Sequence, residues 1–279
     1  MTSISQLTKD LLTKHNFHLK KGLGQNLLTD EACLNRIVEA AALSKDDTVI
    51  EIGTGTGILT KELAKVAKKV ITFEIDKRIV EIAKEYLNGI DNIEIINEDF
   101  LKSDISYSSL VICHLKFVAN VPYYITTPII EKIVATPHAT SLRMIPQTIV
   151  LTVQREFAQR MVAKPGTKDY GSFTIFVNYY TEPEIVSYIP KSAFLPQPTV
   201  GSAVIKLIPR PVKTHCNASL LFPIVRAAFN QRRKTLRNAL IARFDEDKVD
   251  NALSKAGIDP KIRGERLSIE DFVRLSDAL

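Results

Sequence analysis

The chemistry of this chain is most explicit at Asn120-Val121-Pro122-Tyr123. The apolar run Phe117–Ala119 leads into it and a second tyrosine, Tyr124, follows. An apolar run that ends in an amide, a proline and two tyrosines reads as a strand running out into a rigid loop at the edge of a sheet. Pro122 fixes its own φ and holds Val121 extended, so the neighbouring carbonyls keep one direction. The Asn120 side-chain carbonyl, a main-chain carbonyl near Val121–Pro122 and an aromatic face can together grip a flat base that carries an exocyclic NH2. The two acceptors take its hydrogens and the ring stacks on the aromatic. Taken alone, the blander reading is the better one: a strand end with a proline turn and two half-buried tyrosines. The rest of the chain reverses that order.

Such groups need elements to hold them. Between Val49 and Val153 the sequence alternates short apolar runs with helical periodicity. The strands are Val49–Gly53, Val70–Ile75, Ile93–Ile96, one within Leu110–Ala119, and Gln147–Val153; the helices are Leu59–Ala67, Lys77–Leu87 and Pro128–Thr136. This rhythm predicts an α/β fold with a doubly wound, mostly parallel sheet and ligands at the carboxyl ends of its strands. Helices are predicted at Arg155–Val162 and Ser172–Tyr180, with the loop Ala163–Ser172 between them. Ile185–Ile189 and Ala203–Ile208 are two further strands that flank the proline-rich Pro190–Pro198, which predicts an antiparallel hairpin at one edge of the sheet. Pro209 and Pro211 bracket a linker. The expected division is a catalytic domain over residues 1–210 and a small helical domain over residues 211–279.

Three of the strand ends carry groups suited to one ligand. Glu51-Ile52-Gly53-Thr54-Gly55-Thr56-Gly57 follows a strand and opens a helix. Its glycines permit a tight turn and a close approach to a ligand. The spacing is neither the dinucleotide fingerprint nor a phosphate-binding P-loop. Glu74 ends the next strand, about 20 residues on, where an acid reaches ribose hydroxyls. Asp99 ends the third, where it can accept a hydrogen bond from an adenine amine, and Phe100 beside it can face the ring. Each acid alone is a solvated strand end or a helix cap. As an ordered set beside the Asn120 loop they suit S-adenosylmethionine, which has no pyrophosphate to cradle.

Composition sets outer bounds. The net charge is +6 and the pI about 9.1, which permits a nucleic-acid partner without proving one. Residues 211–279 hold 13 Lys/Arg against 9 Asp/Glu, so +4 of the +6 lies in the last quarter. Arg226–Arg237 (RAAFNQRRKTLR) holds five cationic side chains and no acid. Read as one helix, it puts Arg226, Asn230, Arg233 and Arg237 on one face, with Arg232 and Lys234 beside them, a candidate surface for RNA phosphates. Lys20, Lys21, Arg155 and Arg160 are weaker candidates. Cys33, Cys113 and Cys216 have no zinc or redox spacing and read as buried thiols of a reducing cytosol. No feature points to a metal. No apolar run spans a membrane, and the N-terminus lacks the apolar core of a signal peptide. A monomer in the cytoplasm is expected.

The ordered motifs resemble the ribosomal RNA adenine dimethyltransferases, the bacterial small-subunit enzymes tied to kasugamycin sensitivity, with the erythromycin-resistance methylases as relatives. The residues that carry the resemblance span nearly the whole chain. They are Leu23–Leu28, Glu51–Gly57, Glu74–Asp76, Glu98–Phe100, Asn120–Tyr123, Gln154–Glu156, Tyr170-Gly171, Ser192–Phe194 with Pro196 and Pro198, and Ala228–Arg237. The resemblance implies a Rossmann-like seven-stranded methyltransferase sheet, with Asn26, Leu28, Gly53, Glu74, Asp99 and Asn120 at S-adenosylmethionine. It implies methylation of N6 on two adjacent adenosines of small-subunit rRNA in a ribosomal pre-subunit. On that reading Asn120 and Pro122 shape the amine-binding corner and Tyr123 stacks on the target base. Four positions depart from the family pattern: Leu27 stands for Phe, Thr54 for Pro, Val121 for Leu and Gly201 for Asp. The competing readings are a large-subunit adenine methylase of the antibiotic-resistance type, a DNA adenine methylase, and a small-subunit assembly factor with methylation secondary or absent.

Overall fold

The computed structural model describes residues 3–20, 22, 24–103, 114–139, 145–210 and 218–279. Lys21, Cys113, Pro211 and Cys216, and the first part of the Leu110–Ala119 strand, lie outside the described residues. Cys33 is a buried free thiol.

The chain divides into two compact units, residues 1–158 with 184–209, and residues 159–183 with 210–279. In the first, seven strands form one sheet in the order β4-β3-β2-β5-β6-β9-β7. They are β2 (Thr48–Ile52), β3 (Lys69–Phe73), β4 (Ile93–Ile96), β5 (Leu115–Asn120), β6 (Thr148–Gln154), β7 (Thr181–Ile189) and β9 (Ser202–Pro209). Strands β2 to β6 pair in parallel; Ile50, for example, faces Ile71 on one side and Phe117 on the other. The near-continuous apolar runs of β2, β3, β5 and β6 reflect burial on both faces of the sheet. Strand β9 pairs antiparallel to β6, and β7 lies beyond it at the edge, where the two late strands were expected.

Helix α1 (Ile4–Lys14) precedes the sheet, and α5 (Thr126–Ala139) and α6 (Arg155–Met161) follow β5 and β6. The helices start where their caps stand. Asp30 accepts the Cys33 N–H (2.8 Å) to open α2 (Glu31–Ala41), and Asp76 accepts the Arg78 N–H (3.1 Å) to open α4 (Lys77–Tyr86). Between them α3 (Ile58–Val66) begins at Gly57, whose φ of +87° only glycine adopts easily. The chain builds outward from β2 through β3 to β4, then returns to the other side of β2 as β5. Order therefore reverses between β2 and β5, and the crevice at their carboxyl ends is where such sheets bind ligands.

A two-stranded sheet also forms, β1 (Leu27–Leu28) against β8 (Phe194–Leu195), with Leu28 opposite Phe194. The Thr29 N–H donates to Ala193 O (2.8 Å) beside it. Two-residue strands carry no periodicity, so nothing local announces them.

In the second unit, α7 (Ser172–Tyr180) packs on α8 (Ala218–Asn230), followed by α9 (Leu236–Leu240), α10 (Glu246–Ala256) and α11 (Ile269–Ala278). The expected single break after residue 210 thus places 159–183 differently from the observed division. The reason is aromatic packing. The Phe176 and Tyr180 rings lie 5.4 and 5.9 Å from Phe222 of α8, and the Tyr170 hydroxyl donates to Leu267 O (2.7 Å). Among the described residues no helix is long and apolar enough to cross a membrane.

Candidate active site

A cavity of about 210 Å³ opens at the carboxyl ends of β2, β3, β4 and β5. Gly53, Gly55, Glu74, Asp99 and Asn120 line it together, so the structure brings to one place the groups that the sequence spreads over some 70 residues.

The glycine turn is held close to its neighbours. Gly53 and Gly55 have φ of +86° and +54°, and a Cβ on Gly55 would lie 2.9 Å from Leu27 Cδ2. Glu74 braces the turn. It is buried, its Oε2 accepts the Gly55 N–H (3.1 Å) and its Oε1 accepts the Asp76 N–H (3.0 Å). Burial pushes this carboxyl above its ordinary range, and the two N–H donors work against that rise. Asp99 uses Oδ1 to accept the Leu101 N–H (3.0 Å).

Beneath the turn lies a buried polar layer. Glu51 is fully buried, and burial pushes its carboxyl up to about 8. Its Oε2 accepts the Thr60 hydroxyl at 2.6 Å. Thr54, one of the departures from the pattern that the resemblance implies, pairs its hydroxyl with that of Thr72 at 2.7 Å. Proline stiffens such a turn through φ; here a buried side-chain hydrogen bond ties the turn to β3 instead.

The Asn120 amide has a defined orientation. Its Nδ2 donates to Asn26 O (2.8 Å), and only the NH2 end can do so, because the partner is a carbonyl. The Oδ1 atom accepts no hydrogen bond among the described residues. Pro122 O is occupied by the Ile125 N–H (3.2 Å), which leaves Val121 O as the main-chain acceptor next to Asn120. Tyr123 also lines the cavity, and its hydroxyl is 2.6 Å from Ser202 Oγ.

The N-terminal loop forms a further wall. Asn26 lines the cavity and turns its own Nδ2 to Gly24 O (3.2 Å). Leu28, which the resemblance puts at the cofactor, packs its side chain in the hydrophobic core opposite Phe194, and Leu27 lines the cavity. Successive side chains of an extended segment face opposite ways, so only one of the two leucine side chains faces the cavity. Phe100 lines the cavity as well. Its ring is locked in edge-on contacts with Phe73 (5.4 Å) and Phe117 (6.3 Å) and is buried. Ile75, 54% exposed and beside Glu74, offers the open apolar face in the cavity wall. Its signal was available: a bare isoleucine directly after a strand-end acid. Gln25 and Tyr124 also line the cavity. Of the weaker cations, Lys20 is paired with Asp76 (2.8 Å).

The basic stretch of the second unit is not one helix. α8 ends at Asn230, a turn covers 231–234, and α9 restarts with Thr235 as its N-cap. Arg226, Arg232, Arg233 and Lys234 are exposed, with Arg232 Nη2 donating to Tyr170 O (2.6 Å). Arg237 is engaged within the unit by Asp250, through Nε (2.6 Å) and Nη2 (2.8 Å), and by Glu246.

A glycine turn with a buried acid at the switch point of a seven-stranded sheet, joined to an asparagine with a free acceptor, defines a Rossmann-like methyltransferase. Residues 16–279 match the ribosomal RNA adenine dimethylase family. A ribosomal RNA small subunit methyltransferase A from Anoxybacillus flavithermus is 46% identical over 98% of this chain and 94% of its own length. Among solved structures, a dimethyladenosine transferase from Plasmodium falciparum has a TM-score of 0.74 at 29% identity, over 89% of this chain and 95% of that one. The 23S rRNA methyltransferase ErmE has a TM-score of 0.69 at 29% identity, over 91% and 99%. The chain belongs to the ribosomal RNA adenine dimethylase family.

Proposed function

We propose that this protein methylates N6 of two adjacent adenosines in small-subunit rRNA, with S-adenosylmethionine as methyl donor, giving N6,N6-dimethyladenosines during assembly of the subunit. The observation that carries the reading is the oriented Asn120 amide, with its NH2 spent on Asn26 O and its Oδ1 free at the cavity.

The cavity fits the donor. The turn at Gly53 and Gly55 leaves no room for a Cβ on Gly55, Glu74 keeps lone pairs on both oxygens for ribose hydroxyls, and Ile75 offers an apolar face to the adenine. Asp99 has one carboxylate oxygen left for the adenine amine. When bound, the donor supplies an electrophilic methyl on a sulfonium. The work of the chain is to make a poor nucleophile competent. The N6 lone pair of adenine is delocalised into its ring. Asn120 Oδ1 and Val121 O accept the two N6 hydrogens and favour the pyramidal nitrogen, a preorganised contact worth about 2–4 kcal/mol in the transition state. The methylated nitrogen is acidic and gives its proton to solvent, so no strong base is required. Tyr123, with its hydroxyl held by Ser202, is placed to stack on the target base once that base has left its helix.

The second unit supplies the RNA contact on this reading, through Arg226, Arg232, Arg233 and Lys234. Arg237 contributes less, because two carboxylates already hold it. Replacing Arg232, Arg233 and Lys234 together by alanine is expected to weaken RNA binding evenly across sequences. It should also flatten the dependence of log K on log salt by roughly 0.7–0.9 per lost phosphate contact. An unchanged slope in a salt titration would remove these residues from the interface.

The 46% identity to a small-subunit methyltransferase, against 29% to a large-subunit enzyme, favours the small subunit as target. Undermethylated small subunits, large subunits and DNA offered in parallel test that choice, and label in the small-subunit RNA alone is the expected result. Tight small-subunit binding without label would favour an assembly factor. One chain holds every proposed site group, so we propose a monomer acting on the pre-subunit in the cytoplasm.

A further inference from the structure

Tyr124 has no part in the mechanism above, yet it is the most exposed large apolar or aromatic side chain described, at 60%, and it lines the same cavity as Asn120 and Tyr123. An aromatic ring left open at the mouth of a concave site offers a face on which a base can stack. The ring is not loose. Gly24 of the N-terminal loop lies against it: a Cβ built there would be 3.2 Å from both Cδ1 and Cε1 of Tyr124, and 3.3 Å from Pro122 Cβ. Gly24 has φ of +61°, so this close approach is built on a conformation that other residues adopt only with strain. The hydroxyl of Tyr124 makes no hydrogen bond among the described residues. Its neighbour differs in each respect, since Tyr123 is half-buried and bonded to Ser202. The two tyrosines share one turn of 3-10 helix, Tyr123–Ile125, in which consecutive side chains diverge by a third of a turn. One ring thus belongs to the cavity wall and the other to its mouth.

We infer that Tyr124 is the stacking platform for the nucleotide next to the target adenosine. This rests on the proposed reading of the pocket as an RNA adenine site. When one base is drawn into a pocket, its neighbour loses a stacking partner and exposes a π-face. A ring backed by protein on one side and open on the other replaces that partner. Such stacking needs no hydrogen bond and tolerates any base, which suits a residue whose hydroxyl is unused. It also gives a reason for acting on adjacent adenosines: while one occupies the pocket, the other is held at its mouth.

The test uses the full-length protein and undermethylated small ribosomal subunits, with kcat/KM for methyl transfer measured beside S-adenosylmethionine affinity. Tyr124→Ala and Tyr124→Leu are expected to lower kcat/KM for the subunit by about tenfold or more, the scale of a lost base–aromatic contact. Tyr124→Phe should stay within about twofold of wild type, as an unused hydroxyl requires. Cofactor affinity should not change in any of the three. The leucine variant preserves apolar packing on Gly24, so wild-type kinetics in it would assign Tyr124 to loop packing and overturn the inference. A phenylalanine variant as impaired as the leucine one would show that the hydroxyl matters and overturn it as well. If wild type itself transferred no methyl to the subunit, the reading of the pocket would fail first.

Discussion

Asn120→Ala is expected to lower single-turnover methyl transfer by about 10²–10³-fold, the scale set by removal of one preorganised transition-state hydrogen bond. S-adenosylmethionine affinity should fall only a few-fold. Two contacts disappear in this variant. The Oδ1 acceptor is the catalytic loss. The Nδ2 donor to Asn26 O is the lesser one, because it fastens the N-terminal loop to the end of β5 across 94 residues of sequence. Asn120→Asp separates the two. It keeps an acceptor at the same position but sets a carboxylate oxygen against the Asn26 carbonyl, so it should disturb cofactor binding more than alanine does. Rapid-quench transfer and calorimetric titration read the two effects apart. Turnover near wild type in Asn120→Ala would remove Asn120 from the mechanism.

The second large effect is expected at Glu74. Glu74→Gln is nearly isosteric, but it exchanges one acceptor oxygen for an NH2. Both carboxylate oxygens are in use, by the Gly55 N–H and the Asp76 N–H, so whichever end becomes the amide now faces another donor. An unsatisfied buried donor costs about 1–3 kcal/mol, more where the lost partner is charged. The same substitution halves the acceptors left for ribose hydroxyls. Cofactor affinity should therefore fall by about 10- to 100-fold, since each factor of ten corresponds to about 1.4 kcal/mol. Transfer at saturating cofactor should be affected much less. The opposite split, with affinity intact and transfer lost, would place Glu74 in the chemical step and contradict its role as a ribose acceptor.

What could be read from the sequence was what is written locally. β2, β3 and β6 are apolar runs buried on both faces, and Asp30 and Asp76 cap the helices that follow them, so strand identity and helix starts were visible within a few residues. The glycine turn, Glu74, Asp99 and Asn120 could be assembled because each ends a strand of one sheet, and strand ends of a parallel sheet converge. The contacts that escaped are long-range. The choice of Leu27 over Leu28 for the cavity depends on the pairing of Leu28 with Phe194, more than 160 residues on. The capture of Arg237 depends on Glu246 and Asp250, which a different helix presents. The association of 159–183 with the helical unit is decided by Tyr170, Phe176 and Tyr180 meeting distant partners. Helical periodicity across 226–237 also concealed a cap: Thr235 opens a new helix and divides the basic stretch.

On this reading the pocket places two methyl groups on N6 of adenosine in ribosomal RNA. The most direct test incubates the wild-type protein with undermethylated small subunits and labelled S-adenosylmethionine, then digests the RNA to nucleosides and separates them. The prediction is label in N6,N6-dimethyladenosine, at two neighbouring positions of the small-subunit RNA. Label confined to another nucleoside, or to another atom of adenosine, would contradict the assignment of Asn120 Oδ1 and Val121 O as the acceptors of the N6 hydrogens.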